Sequence, residues 1–315
     1  MRYFRWNSTP GMPHVKYSFR NIDSLSVPFE GGSRPVVFMH IPKTSGTAVR
    51  SGLAKALAPA IAVGGFDHSL FGSFRDFDSL HESVRCQIYD SPAALPKNAD
   101  LVAGHIAFSS LREAFPLAQR LTLLREPVSR VLSHWLFWRQ HTDKDLAPWG
   151  SWADRVRQSR KPLADFLADP LLACQTDNLV LRMLLWPHPL LPLAQFIDPA
   201  HDEQLIHEAM ARLLAFDFVD VVENGALMQR LQRWLDRPFN HDRYNETSAI
   251  PEQFRTPLHH ELTPEAHDLL IARSRLDLRL WSEIAARCLP DRDIPRLREQ
   301  TVLVNVARYG VLMAC

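Results

Sequence analysis

Val36 to Leu53, V-V-F-M-H-I-P-K-T-S-G-T-A-V-R-S-G-L, is the stretch on which the reading of the fold turns. Val36 to Met39 has the length and β-branching of a buried strand. Pro42 ends it, and Val49, Leu53 and Leu57 recur at four-residue spacing, which predicts a helix from Thr44 to about Leu57. Between them Lys43, Thr44, Ser45, Gly46 and Thr47 gather one cation, three hydroxyls and one flexible backbone position. At a helix N-terminus unpaired N–H groups and the helix dipole favour an anion. The expected ligand is a phosphate or a sulfate.

Further strands read outward from this one. Ala60–Val63 and Cys86–Tyr89 predict short strands, and Asp100 to Phe108 predicts a second buried strand ending in Gly104 and His105. Leu121 to Leu124 is a third, followed by Arg125, Glu126 and a helix opened by Pro127. Phe218 to Glu223 is another, with an amphipathic helix through Leu227, Leu231, Trp234 and Leu235. Thr263-Pro264 caps a helix that runs to Trp281. Strands alternating with helices predict an α/β, three-layer, P-loop-like fold, a central mainly parallel sheet flanked by helices. The expected organisation is an N-terminal arm (1–33), one catalytic domain (34–290) and a C-terminal tail packed on it (291–315).

Composition bounds the function. The chain has 315 residues, 46% hydrophobic and 23% charged, with a net charge of +1. That suits a globular protein and gives no bulk attraction to nucleic acid or membrane. No apolar run reaches the ~20 residues of a membrane span, so a cytoplasmic protein is expected. Cys86, Cys174, Cys288 and Cys315 form no C-x-x-C pair. His-Glu-x-x-His is absent, and His201, Glu203 and His207 do not share one helix face, so no metal is expected.

The nucleotide-triphosphate loop G-x-x-x-x-G-K-[ST], aligned on Lys43, would need glycine at Val37 and Pro42. His40 to Thr47 instead resembles, at every position, the 5′-phosphosulfate loop H-I-P-K-T-[GS]-G-T of carbohydrate-type sulfotransferases (sulfotransferase family 2). Arg125-Glu-Pro-Val-Ser-Arg130-Val-Leu-Ser133 is similar to that family's 3′-phosphate motif, R-[DE]-P-x-x-R-x-x-S. The resemblance, which covers about residues 35 to 290, implies 3′-phosphoadenosine 5′-phosphosulfate (PAPS) as donor. Lys43, Thr44, Ser45, Gly46 and Thr47 would hold the 5′-phosphosulfate, and Arg125 and Ser133 the 3′-phosphate.

Gly104-His105-Ile-Ala-Phe108 resembles the base-bearing segment of the heparan sulfate 2-O-sulfotransferase branch, which implies His105 as catalytic base and Lys43 as charge stabiliser. Ala103 stands where that branch carries a second histidine. Glu126 and Arg130 are expected to form ion pairs near the helix start, and Glu223 is expected to be structural. Gln175 to Arg182 is similar to an N-x-x-x-R segment at the acceptor cleft, placing Asn178 and Arg182 there. Arg243 to Ser248 resembles a late loop that folds over the nucleotide.

Trp135, Trp138, Trp149 and Trp152, among Arg139, Arg155, Arg157, Arg160 and Lys161, suit a cleft for a sugar or another acidic acceptor. Core packing and solvated helix faces account for the same residues. The expected activity is sulfuryl transfer to an acceptor hydroxyl, of a glycan or a glycan-like small molecule, by a soluble, bacterial type of enzyme. Two alternatives stand beside it: a nucleotide-dependent phosphotransferase and a non-catalytic nucleotide-binding relative. Oligomeric state is not legible.

Overall fold

The computed structural model describes Phe29, residues 34–239 and residues 250–314. The arm at 1–33, apart from Phe29, and the segment Arg243 to Ser248 lie outside the described residues.

Strands β1 (Val36–Met39), β2 (Ala62–Val63), β3 (Phe66–Asp67), β4 (Ile88–Tyr89), β5 (Leu101–Gly104), β6 (Gln119–Leu124) and β7 (Phe218–Val221) form two sheets. The larger has the order β2-β5-β1-β6-β7 and every neighbouring pair is parallel. Phe38 lies opposite Ala103 on one side and Leu121 on the other. β3 and β4 pair separately, also parallel. Strands with both faces covered read as continuous apolar runs. β1 and β5 are accordingly buried along their whole length.

Alternate side chains of the sheet enter two cores. Val36, Phe38, Leu101, Leu121 and Phe218 face Val49 and Leu53 of helix α1 (Gly46–Leu57), together with Leu227, Leu231 and Trp234 of a later helix. Val37, Met39, Val102, Leu124 and Val219 face the larger core on the other side. This is the expected three-layer α/β architecture. Each large apolar side chain removed from water contributes about 1.5–3 kcal/mol, so the two cores anchor the sheet from both faces.

The larger layer is built from α2 (Phe108–Ala114), α3 (Pro127–Arg139), α4 (Leu179–Leu185), α5 (Asp202–Leu213) and α7 (Pro264–Cys288); α6 (Leu227–Leu235) lies in the smaller layer with α1. Thr263 caps α7 by accepting from Ala266 N at 3.1 Å. Residues beyond 290 form one more helix, α8 (Ile294–Met313), capped by Asp293. It packs against α3. No helix among the described residues is long and apolar enough to cross a membrane.

The path of the chain sets the site. From β5 on one side of β1 it crosses to β6 on the other. In an open α/β sheet a crevice opens at such a crossing, outside the carboxyl ends of the strands. His40, His105 and Arg125 are the residues that immediately follow β1, β5 and β6.

Candidate active site

A cavity of about 650 Å³ opens there, within the range of small-molecule sites. His40, Lys43, Ser45, Gly46, Thr47, His105, Arg125 and Ser133 all line it.

The loop between β1 and α1 is held in an uncommon conformation. Lys43 and Ser45 have φ of 69° and 60°, left-handed values that few residues other than glycine adopt. Alternation of this kind turns successive backbone N–H groups toward one concavity. Thr44 fixes the turn by donating its hydroxyl to Ile41 O at 2.8 Å. Gly46 is required by close approach: a Cβ there would lie 1.8 Å from the His40 ring. The Lys43 ammonium sits 4.1 Å from the centroid of Phe137. Burial, and after it the positive charges of Arg125 and Arg308, bring its pKa down from 10.5 to about 8.

His105 is held by both backbone and ring. Its N–H donates to Gly65 O at 2.8 Å and its carbonyl accepts from Asp67 N at 3.2 Å. The buried Asp67 carboxylate also takes Ala107 N and Ser110 Oγ, each at 2.8 Å, and so fixes the turn that follows. The ring lies 4.2 Å from the His40 ring and 5.4 Å from Phe66. Nδ1 is 2.6 Å from His40 O. A carbonyl can only accept, so Nδ1 carries the proton and Nε2 is left with its lone pair. Burial outweighs that hydrogen bond, and Arg50 and Lys43 add to the effect, so the pKa falls from 6.5 to about 4. The imidazole is neutral at pH 7 with its Nε2 lone pair available for a proton, and the same burial makes it a weaker base than a free histidine.

Arg125 is braced by α8. Its Nη1 donates to Lys43 O at 3.1 Å, and Nη2 donates to Asn305 Oδ1 and Tyr309 Oη, both at 2.9 Å. A guanidinium has five N–H donors in a planar fork, and these bonds fix its orientation while using three. Thr301, Asn305, Arg308 and Tyr309 all line the cavity. Ser133 faces it from α3, whose first turn is closed by Glu126 accepting from Val128 N at 3.2 Å and Ser129 N at 2.7 Å. This side of the cavity concentrates Lys43, Arg125, Arg308 and a helix N-terminus, a field that favours an anion with more than one charged group.

Much of the remaining lining is aromatic. Phe66 reaches Trp149 at 6.0 Å and Phe71 at 6.2 Å, Phe71 reaches Trp152 at 4.9 Å, and Trp152 reaches Trp138 at 6.2 Å. His134 lies 4.6 Å from Trp138 and also lines the cavity.

Several expectations need correction. Thr44 is fully buried and does not line the cavity; its hydroxyl serves Ile41, so it offers a ligand no side-chain donor. Asn178 and Arg182 do not line it either. Asn178 takes Leu276 N at 2.8 Å and Asp277 N at 3.2 Å through Oδ1, and Arg182 pairs with the buried Asp177 at 2.8 Å. Buried polar groups must be paired: Asn178 is committed to joining α4 to α7, and Arg182 to holding Asp177 and the carbonyls of Pro192 and Gln195. The Arg130 guanidinium makes no hydrogen bond with Glu126; only its backbone N–H reaches Glu126 O, at 2.9 Å. Arg130 is fully buried, its three guanidinium nitrogens have no partner among the described residues, and burial lowers its pKa to about 10. Glu126 instead lies 3.5 Å from Arg298 of α8. Glu223 lines the cavity while accepting from Glu126 N at 2.9 Å and Trp281 Nε1 at 3.0 Å.

Asp67, His134 and the α8 residues escaped the reading of the sequence. Thr301, Asn305, Arg308 and Tyr309 do fall on one helical face, at i, i+4, i+7 and i+8. Nothing in the sequence says what that face meets. Among the described residues no cluster of three or more His, Cys, Asp or Glu side chains could hold a metal ion.

No family model matches the sequence, and no curated protein matches it. Among solved structures, a sulfotransferase from Alicyclobacillus acidocaldarius is similar at 16% identity and a TM-score of 0.36, over 85% of this chain and 100% of that one.

Proposed function

We propose that the chain is a PAPS-dependent O-sulfotransferase. The observation that carries this reading is the convergence of Lys43, Arg125 and His105 on one cavity from the ends of three adjacent strands. The cavity offers two separate cationic points, Lys43 at the loop and Arg125 beside Ser133, which suits a nucleotide phosphorylated at both the 5′ and the 3′ position.

The donor supplies an activated sulfuryl group on a phosphate. Lys43 and the N–H groups opening α1 stabilise negative charge where the bridging oxygen departs. Arg125, oriented by Asn305 and Tyr309, holds the 3′-phosphate with Ser133. His105 takes the acceptor proton at Nε2. The acceptor oxygen forms the new bond to sulfur as the bridging S–O bond breaks, and the electron pair leaves with 3′-phosphoadenosine 5′-phosphate. Both charged points come from the chain itself.

Replacing His105 with Ala tests the reading. The expected result is a loss of about 10²–10⁴-fold in turnover, with affinity for 3′-phosphoadenosine 5′-phosphate held within about twofold. Retention of turnover, or loss of nucleotide binding together with turnover, would refute the role given to His105.

A further inference from the structure

We infer that the acceptor is a compact apolar alcohol or phenol, a ring system carrying the reacting hydroxyl, seated against Phe66, Trp149 and Trp152 and met at a second polar point by His134. The inference rests on the donor reading above and adds the substrate class. Phe66 stacks on His105 itself, so the aromatic wall starts at the group that would receive the proton. From there it runs without interruption through Trp149 on one side and through Phe71, Trp152 and Trp138 on the other. Leu70, Leu146 and Val156 add apolar carbon to the same lining. A ring laid against such a wall is held by burial and by edge-to-face contacts.

The four arginines that the sequence places among these tryptophans are engaged elsewhere. Arg139 donates to Phe254 O, Ser159 O and Lys161 O and pairs with Glu261. Arg155 donates to Leu171 O and Ser73 Oγ, and Arg157 and Arg160 both pair with Asp143. None of the four lines the cavity. A polyhydroxylated sugar would also leave many hydroxyls against apolar carbon, each at a cost.

His134 is the exception on this wall. Only 4% of it is exposed, and neither ring nitrogen has a hydrogen-bond partner among the described residues. An unpaired buried polar group costs stability, and such costs concentrate where a ligand completes the pairing. The Nδ1 of His141, on the same lining, is also buried without a hydrogen-bond partner among the described residues. A second hydroxyl or carbonyl on the acceptor, across the ring from the one that meets His105, would satisfy His134.

The test uses the full chain saturated with 3′-phosphoadenosine 5′-phosphate, with naphthol binding read by tryptophan fluorescence. Sulfation by PAPS is then compared for naphthol, a dihydroxynaphthalene, methyl glucoside and a uronic-acid disaccharide. Naphthol should bind and be sulfated with a KM at least tenfold below that of either sugar. Trp149→Ala should raise the naphthol KM roughly tenfold, with a smaller effect on kcat and none on nucleotide affinity. His134→Leu should abolish the preference for the dihydroxynaphthalene over naphthol, with Tm unchanged or raised. Should that variant fail to fold, Trp149→Ala still decides. If the nucleotide binds but naphthol neither binds nor reacts, the inference is overturned and the donor reading stands. If the nucleotide does not bind at all, both fall.

Discussion

At the scale of single residues, two titrations distinguish this site from an ordinary surface. Burial holds His105 near pKa 4, so its base form persists well below neutrality. Between pH 7.5 and 6.0 the donor kcat/KM should change by less than twofold. A histidine of ordinary pKa would lose about fourfold over that interval, since ~6.5 lies inside it. A fourfold acid loss would therefore contradict the placement. Lys43 gives the opposite limb. Its pKa in the free protein is about 8, and an anion bound beside it raises that value. Affinity for 3′-phosphoadenosine 5′-phosphate should thus be constant below pH 7.5 and fall by up to tenfold per unit above 8. Calorimetry across pH 7 to 9.5 should show this slope, and Lys43→Gln should lack it. Lys43 was legible because a loop carries its chemistry in consecutive residues. The direction in which Thr44 turns its hydroxyl was not, because it depends on the positive φ of its two neighbours.

At the scale of elements, α8 and the joint between α4 and α7 are the parts that local sequence hides. Tyr309→Phe and Asn305→Ala each remove one bond to Arg125. At about 0.5–1.5 kcal/mol per bond, each should weaken nucleotide binding by a factor of roughly 2 to 12. Val304→Ala, on the exposed side of the same helix, should leave it unchanged. Equal effects from all three would mean that α8 acts only by packing. Asp277 anchors the other joint by accepting Leu181 N through Oδ1 and Val180 N through Oδ2, both at 3.0 Å. Asp277→Asn leaves one N–H without an acceptor and should cost about 1–3 kcal/mol in urea unfolding. Burial raises the Asp277 pKa to about 6, above the ~3.9 of the unfolded chain. The native state therefore binds more protons between these values, and this group's contribution to stability grows as pH falls from 6 to 4. The mutant should lose that component. Apolar spacing announced the helix that became α7, but not that Asn178 would be spent on joining α4 to it, nor Arg182 on Asp177 and the carbonyls of Pro192 and Gln195.

At the scale of the whole molecule, a central mainly parallel sheet with flanking helices followed from the alternation of apolar strands with helical spacing, whereas the separate pairing of β3 with β4 did not. The topology gathers the ends of β1, β5 and β6, and those ends carry the residues that the sequence singled out. What the sequence could not supply is the far wall of the cavity. Phe66 lies more than eighty positions before Trp149 and Trp152 in the chain, and an aromatic residue reads alike in a core and in a binding wall. For the basic residues around those tryptophans the sequence leaves acceptor contact and solvated helix faces both open, and their partners decide. Arg139 and Arg160 show why, since their guanidinium groups are taken by carbonyls and carboxylates of neighbouring turns.

The central claim is that the cavity distinguishes a nucleotide with a 3′-phosphate through Arg125. The measurement is calorimetry without magnesium, comparing 3′-phosphoadenosine 5′-phosphate with ADP on the unmodified chain and on Arg125→Ala. Tight binding of the first nucleotide, weak binding of ADP and loss of the preference in the variant are the predicted result. Equal binding of the two, or a preference for ADP that appears only when magnesium is added, would contradict the account and favour a phosphotransferase.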